Sequence, residues 1–338
     1  MQAGPARTLF FIPPVRKAAG GVAVLCRMAA VLREAGRDVS LVLRERSGWR
    51  PDSEGVPELD FDRAGLTRGD VWVVPEGWVN ALAPGLRAGA RCLVYVQNWA
   101  YLFTGLPPGV EWRSLDVSFL AVSRPVAWFI GQSLGATAPI LRPGIDLDVF
   151  SAPSAKPDTL AVAYMPRKNK ALADQVRAVI RARGRFSPEW VEISGLDRQG
   201  VAQALARSHA FLATGFPEGC PLPPLEAMAS GAIPAGFAGL GGWDYMRQAA
   251  PPGGASGGEP GGYVPPCPMD PVPWEGNGFF VPDNDVMGAA LALENALELW
   301  QRGGEELARV RRALAATATA YGLEPQRQAV LDFWERLG

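Results

Sequence analysis

The sequence predicts an α/β protein made of two doubly wound, Rossmann-like domains in tandem. Three observations lead there. Short, continuously apolar runs alternate with segments of helical spacing, the pattern of a parallel sheet covered on both faces. That alternation breaks once, at PILRPGIDLDVFSAPSAKP (139–157), where four prolines and one glycine interrupt it, and then restarts. The 338 residues leave room for two domains of ordinary size.

TLFFI (8–12) reads as the first strand, and a loop carrying Gly20 and Gly21 follows it. VAVLCRMAAVLREAG has helical spacing and ends at Gly36, a glycine placed to cap a helix C-terminus. DVSLVL (38–43), VWVVP (71–75), RCLVYV (91–96) and VSFLAVS (117–123) are the next strands, with a helix from Pro125. After the break come a strand at 160–164, a helix at 169–184, a strand at 190–194 and a helix near 198–208. The strand HAFLAT (209–214), then IPAGF (233–237) and GFFVP (278–282), complete a second sheet. Helical segments at 285–302, 304–320 and 325–337 close the chain. This sets a first domain at 1–142, a linker at 143–157 and a second domain at 158–320. The closing segment, 321–338, is expected to pack back on the first domain. Residues 249–276 are too dense in Gly and Pro for regular structure throughout. They read either as a surface insertion or as a lid, with Trp243, Tyr263 and Trp274 nearby.

Composition narrows the function. The net charge is -1, without the basic excess of a nucleic-acid binder. No apolar run approaches the ~18 residues of a membrane span, and the N-terminus lacks the pattern of a signal peptide. The expected location is the cytoplasm, or the inner face of a membrane if contact there is peripheral. Cys26, Cys92, Cys220 and Cys267 form no CxxC pair, which leaves zinc ribbons and redox motifs unsupported. His209 is the single histidine and sits in an apolar strand, so it reads as a core residue; a Ser-His-Asp triad is disfavoured. Catalysis would rest on carboxylates, Arg, Lys and backbone amides.

The segment EGCPLPPLEAMASG (218–231) carries the chemistry. It follows a strand, and ligands of open parallel sheets bind beyond the carboxyl ends of strands. Pro223 or Pro224 suits a first helical turn, and Gly231 ends the helix, expected from about Pro224 to Ser230. Glu226 is thereby expected in the first turn, where the dipole favours an anion and free amides suit a phosphate. Glu218 stays in the loop ahead of it. One acid can face a sugar and the other a ribose, with a diphosphate between them.

This segment resembles the signature of retaining glycosyltransferases of the GT-B fold, in particular glycosyltransferase family four: an acid, seven residues and a second acid. Glu218, Gly219, Pro223, Glu226, Ala227, Met228, Ala229 and Gly231 match that pattern. RPGIDLDVF, GLGGWDY, EGNGFFVPDND and the Gly20-Gly21 pair match neighbouring motifs in the same order. The resemblance implies two Rossmann-like domains facing each other across a cleft. It also implies transfer of a hexose or deoxyhexose from a nucleotide-diphosphate sugar to a glycan or lipid-linked acceptor, with no metal and no other cofactor. Glu218 would contact the donor sugar and Glu226 the ribose. Lys168 and Arg167 would neutralise the diphosphate, with Lys170 and Tyr164 beside them. Gly219, Cys220, Leu222, Pro223 and Leu225, with Gly20 and Gly21, would complete the donor site. The family's usual first-domain histidine is absent; VQNWAYLFTG offers Gln97 and Asn98 instead, and Pro221 lacks the amide found there. Trp99 and Tyr101 join Gln97 and Asn98 on the acceptor side, where stacking on a sugar, core packing and a bilayer-facing patch all remain open. Asp146-Leu147-Asp148 fits a metal-binding D-x-D by letters but falls in the linker. A catalytically idle nucleotide-sugar binder is the alternative. A Rossmann oxidoreductase is disfavoured because RKAAGGVAV has no G-x-G-x-x-G.

Overall fold

The computed structural model describes residues 7–16, 20–51, 53, 55–253 and 265–337; Tyr263, in the Gly/Pro-rich stretch, lies outside them. The chain forms two compact units, Met1–Gly144 with Glu324–Gly338, and Ile145–Leu323.

The first unit alternates β1 (Thr8–Ile12), α1 (Gly20–Glu34), β2 (Val39–Leu43), β3 (Glu58–Asp60), β4 (Val71–Pro75), α2 (Ala83–Ala88), β5 (Arg91–Val96), β6 (Val117–Ala121) and α3 (Arg124–Leu134). All pairs are parallel, in the order β3-β2-β1-β4-β5-β6. The strand order therefore reverses between β1 and β4, which opens a crevice at their carboxyl ends. β1 and β4 are buried along their whole length, as apolar runs covered on both faces must be. Two elements escape the sequence pattern. β3 is a three-residue edge strand, ELD, with no β-branched residue, and α2 is a six-residue helix built around Pro84.

The second unit runs β7 (Ala161–Tyr164), α4 (Lys170–Arg183), β8 (Glu189–Glu192), α5 (Arg198–Ala206), β9 (Ala210–Ala213), α6 (Leu222–Ala229), β10 (Ile233–Phe237), β11 (Phe279–Val281), α7 (Val286–Arg302) and α8 (Gly304–Ala320). Its parallel sheet has the order β11-β10-β9-β7-β8 and reverses between β7 and β9. α9 (Leu323–Leu337) belongs, from Glu324 on, to the first unit. There Trp334 packs on Phe10 with ring centroids 5.8 Å apart and donates from Nε1 to Thr8 Oγ1 at 3.1 Å.

Residues 145–157, set apart as linker in the sequence, pack into the second unit. Phe150 is buried, and the Lys156 ammonium donates to the carbonyls of Ala206 (2.7 Å) and Ser230 (2.8 Å), capping the ends of α5 and α6. Burial, with Arg311 nearby, pushes Lys156 down to about 7, while those carbonyls favour its ammonium form. His209 accepts the Ala161 N–H at Nδ1 (3.1 Å), which makes it a neutral core residue held below its ordinary pKa by burial. The end of the Gly/Pro-rich stretch is packed: Trp274 is buried and donates to the Tyr245 carbonyl at 3.0 Å.

Candidate active site

At the reversal between β7 and β9 two loops meet. The loop after β7 ends in Asn169, which caps α4 in the left-handed conformation (φ 55). Asparagine tolerates this region better than most residues. The Asn169 side-chain amide donates to the carbonyls of Thr214 (2.9 Å) and Phe216 (3.0 Å), so it clamps the first loop onto the loop after β9. Lys168 is carried with it. Its Nζ lies 2.8 Å from Glu218 Oε1 and 3.2 Å from the Pro217 carbonyl.

A third loop, after β10, fixes Glu218 from behind. Glu218 donates its N–H to the Gly239 carbonyl (3.0 Å) and accepts from the Gly241 N–H (3.0 Å). Between these glycines Leu240 takes φ 63 and ψ −58, and the Gly241 N–H closes a γ-turn on the Gly239 carbonyl at 2.9 Å. This turn is rare and strained for a residue with a side chain. A Cβ at Gly241 would overlap the Gly219 carbonyl, so only glycine allows the two loops to come so close. Asp283, after β11, accepts the Gly239 N–H at 2.9 Å, and burial raises its carboxyl above the ordinary range.

The head of α6 differs from the expectation. The helix begins at Leu222 with Pro221 as its N-cap, earlier than the prolines suggested, because Pro223 and Pro224 both fit φ values of a first turn. Glu226 therefore lies in the second turn, outside the first-turn position where the dipole acts most strongly. A helix head normally presents four unpaired N–H groups. Here Pro221, Pro223 and Pro224 remove three of them and leave only that of Leu222. Although part of Glu226 reaches solvent, its carboxyl is desolvated; burial pushes it up to about 7, with Arg198 pulling the other way. Leu225 is fully buried, so its side chain serves the core. Cys220, Leu222 and Pro223 are half-buried on the loop and the first turn. Tyr245 reaches back from below and donates to the Pro221 carbonyl at 2.6 Å.

Other candidates fall elsewhere. Tyr164 is buried, and its hydroxyl bonds Glu192 (2.7 Å) and Arg177 (3.0 Å), whose guanidinium covers its ring. That pairing points the residue to the β8 side and not to Glu218. Arg167 and Lys170 are exposed on either side of Lys168 and Asn169. In the first unit, Gly20 and Gly21 open α1, and Gln97 Nε2 donates to the Gly21 carbonyl at 3.2 Å; a Cβ at Gly21 would collide with that same side chain. Asn98 accepts from Ala100 N–H (3.1 Å), Trp99 packs on Phe129 with centroids 5.5 Å apart, and Tyr101 is exposed. Beneath them Glu76, missed in the sequence, accepts the N–H groups of Gln97 (3.0 Å) and Asn98 (2.8 Å). It is buried just past β4, and desolvation pushes it up to about 7. Asp146 pairs with Arg198 at 3.3 Å and accepts the Asp148 N–H, forming a turn. Among the described residues, no three His, Cys, Asp or Glu side chains gather where they could hold a metal ion.

No family model matches the chain. Over 176 residues it is 27% identical to an alpha-1,6-glucosyltransferase of Actinobacillus pleuropneumoniae serotype 7, a match that covers 50% of this chain and 53% of that protein. The chain thus matches about half the length of that relative. Among solved structures, the sucrose-phosphate synthase of Thermosynechococcus elongatus superposes with a TM-score of 0.69 over 98% of this chain and 99% of its own, at 12% identity. The catalytic domain of starch synthase IV from Arabidopsis thaliana, bound to ADP and acarbose, gives 0.58 over 97% and 100%, at 13% identity. The fold is GT-B. On that fold the paired Lys168 and Glu218 occupy the strand reversal of the carboxyl-terminal unit. No helix among the described residues is long and apolar enough to cross a membrane.

Proposed function

We propose that this chain is a retaining glycosyltransferase that moves a hexose or deoxyhexose from a nucleotide-diphosphate sugar, without a metal, to a glycan or lipid-linked acceptor. The observation that carries the reading is the 2.8 Å Lys168–Glu218 pair at the β7/β9 reversal, on a loop whose sequence spacing leads on to Glu226. Sugar transfer needs the diphosphate charge stabilised as the C1–O bond breaks and cationic character grows on the sugar. Lys168, with Arg167 beside it, supplies positive charge. Glu218 accepts from a sugar hydroxyl, and Glu226 from the ribose. The ADP and acarbose bound by starch synthase IV support this class of ligand. The reading places the protein in the cytoplasm, where such donors are made, or at the inner membrane face.

A panel of UDP-, GDP- and ADP-hexoses, incubated in EDTA with mixed glycans, tests it. Free nucleotide diphosphate and a product with the donor's anomeric configuration are expected. Inversion, or a strict need for added metal, removes that part of the proposal. One observation favours the second reading, an idle nucleotide-sugar binder: the proline-rich head of α6 withholds three amides from an anion. Binding of a donor without release of nucleotide, across all glycans, would select it.

A further inference from the structure

The first unit carries a surface that the donor chemistry does not use. Among the described residues, the exposed large aromatics are Trp78 (39%), Tyr101 (48%) and Phe103 (44%). All three stand on the loops after β4 and β5, beyond the carboxyl ends of adjacent strands and beside the β1/β4 reversal. The loops are built to meet. A Cβ at Gly105 would stand 3.0 Å from the Gly77 carbonyl oxygen, so the backbones are in contact through two glycines. Under this contact Glu76 fixes the Gln97-Asn98 turn by accepting both of its N–H groups. The rings are thus held by a rigid base.

Charge decides what such a face suits. From Val71 to Leu86 the sole charged residue is Glu76, which is buried, and from Cys92 to Val110 there is none. The flanking positive charges are Arg16 and Lys17, between β1 and α1 in the sequence, and Arg124, the first residue of α3. A membrane-binding face combines aromatics with lysines and arginines; the stretches that carry these rings have neither, and Arg113 lies further along the second loop. An acceptor bearing phosphate would likewise find no cation on those stretches. Aromatic faces beside a side-chain amide, Gln97, on an uncharged surface match the C–H faces and hydroxyls of a neutral sugar.

We propose that Trp78, Tyr101 and Phe103 form a platform for a neutral carbohydrate chain. Its use as the acceptor site rests on the transferase reading; the binding itself does not. The full chain would be titrated calorimetrically with maltoheptaose, cellohexaose, a galacto-oligosaccharide and a chito-oligosaccharide. In parallel it would be sedimented with phosphatidylcholine vesicles with and without phosphatidylglycerol. At least one neutral glycan is expected to bind. Trp78→Ala and Tyr101→Ala should each weaken that binding about tenfold, and Trp78→Phe should restore most of it. Thermal melting and ADP binding unchanged in these variants confirm that the second unit is intact. The proposal fails if none of the four glycans binds, if binding survives both alanine variants, or if Trp78 is needed for vesicle binding instead. Glycan binding in a protein that binds no nucleotide would retain the platform and remove the donor reading, so the two fail separately.

Discussion

The Lys168 ammonium and the Glu218 carboxylate lie 2.8 Å apart, one on the loop after β7 and the other on the loop after β9. Both side chains keep about a quarter of their surface in solvent, 29% and 24%. An ion pair of that exposure is worth no more than about 1 kcal/mol to the fold. Stability thus gives the pair little weight, and the proposed function gives it a chemical one. Each charge neutralises the other; on the proposed function, an entering diphosphate would take the lysine and a sugar hydroxyl the acid.

Replacing the two residues should separate binding from turnover. Lys168→Ala is expected to raise KM for the donor at least about tenfold, since it removes one charge-assisted bond to phosphate. Glu218→Ala is expected to lower kcat by about 100-fold or more. Thermal melts of both should stay within about 1 kcal/mol of the parent. Full turnover by Glu218→Ala would remove the site.

Asn169 is expected to act through Lys168. Asn169→Gly keeps the left-handed backbone and deletes the bonds to Thr214 and Phe216. It should raise the donor KM several-fold with little change in kcat. Asn169→Ala adds about 1–2 kcal/mol of backbone strain and should melt lower than the glycine variant. Equal melting of the two, with parental KM, would show that the clamp has no role in the site.

The prolines at the head of α6 make a prediction of opposite sign. Pro223→Ala restores an unpaired N–H where the helix dipole ends. Nucleoside diphosphates should then bind about two- to fivefold more tightly, which corresponds to the roughly 0.3–1 kcal/mol of such an interaction. Calorimetry with UDP and ADP reads it. Unchanged affinity for both would mean that the anion does not approach this helix end.

Glu226 couples stability to pH. Burial raises its pKa from 4.5 to about 7 in the folded protein, so the folded state holds this proton more tightly than the unfolded chain. Its contribution is full below pH 4.5 and is lost as pH rises to about 7. Glu76 is raised to about 7 as well and adds a slope of the same sign. Glu226→Gln should therefore flatten the fall in melting temperature across that window without abolishing it. Identical slopes in parent and variant would contradict the desolvated carboxyl.

The strands were legible because those of a doubly covered sheet are short apolar runs: β1, β4, β5 and β10 match TLFFI, VWVVP, RCLVYV and IPAGF residue for residue. The acid pair and its following helix were legible from spacing. Besides β3 and α2, three things were not. The start of α6 was hidden by adjacent prolines that each fit a first turn. The Asn169 clamp spans 45 and 47 residues, and no local pattern encodes a side chain bonding to distant carbonyls. Glu76 left one signal, an isolated acid in an apolar run, but the amides that justify its burial lie 21 and 22 residues on.

The last helix has a consequence for folding. Trp334 fills a place against Phe10 and Thr8, and the Arg91 guanidinium bonds the Leu337 carbonyl at 2.8 Å. The core of the first unit thus stays open until a helix that follows the whole second unit in sequence packs onto it. The second unit, by contrast, is a continuous stretch of chain and can fold as one. Expressing residues 1–144 alone would leave the Phe10 face bare, whereas tethering 324–337 to that fragment would cover it.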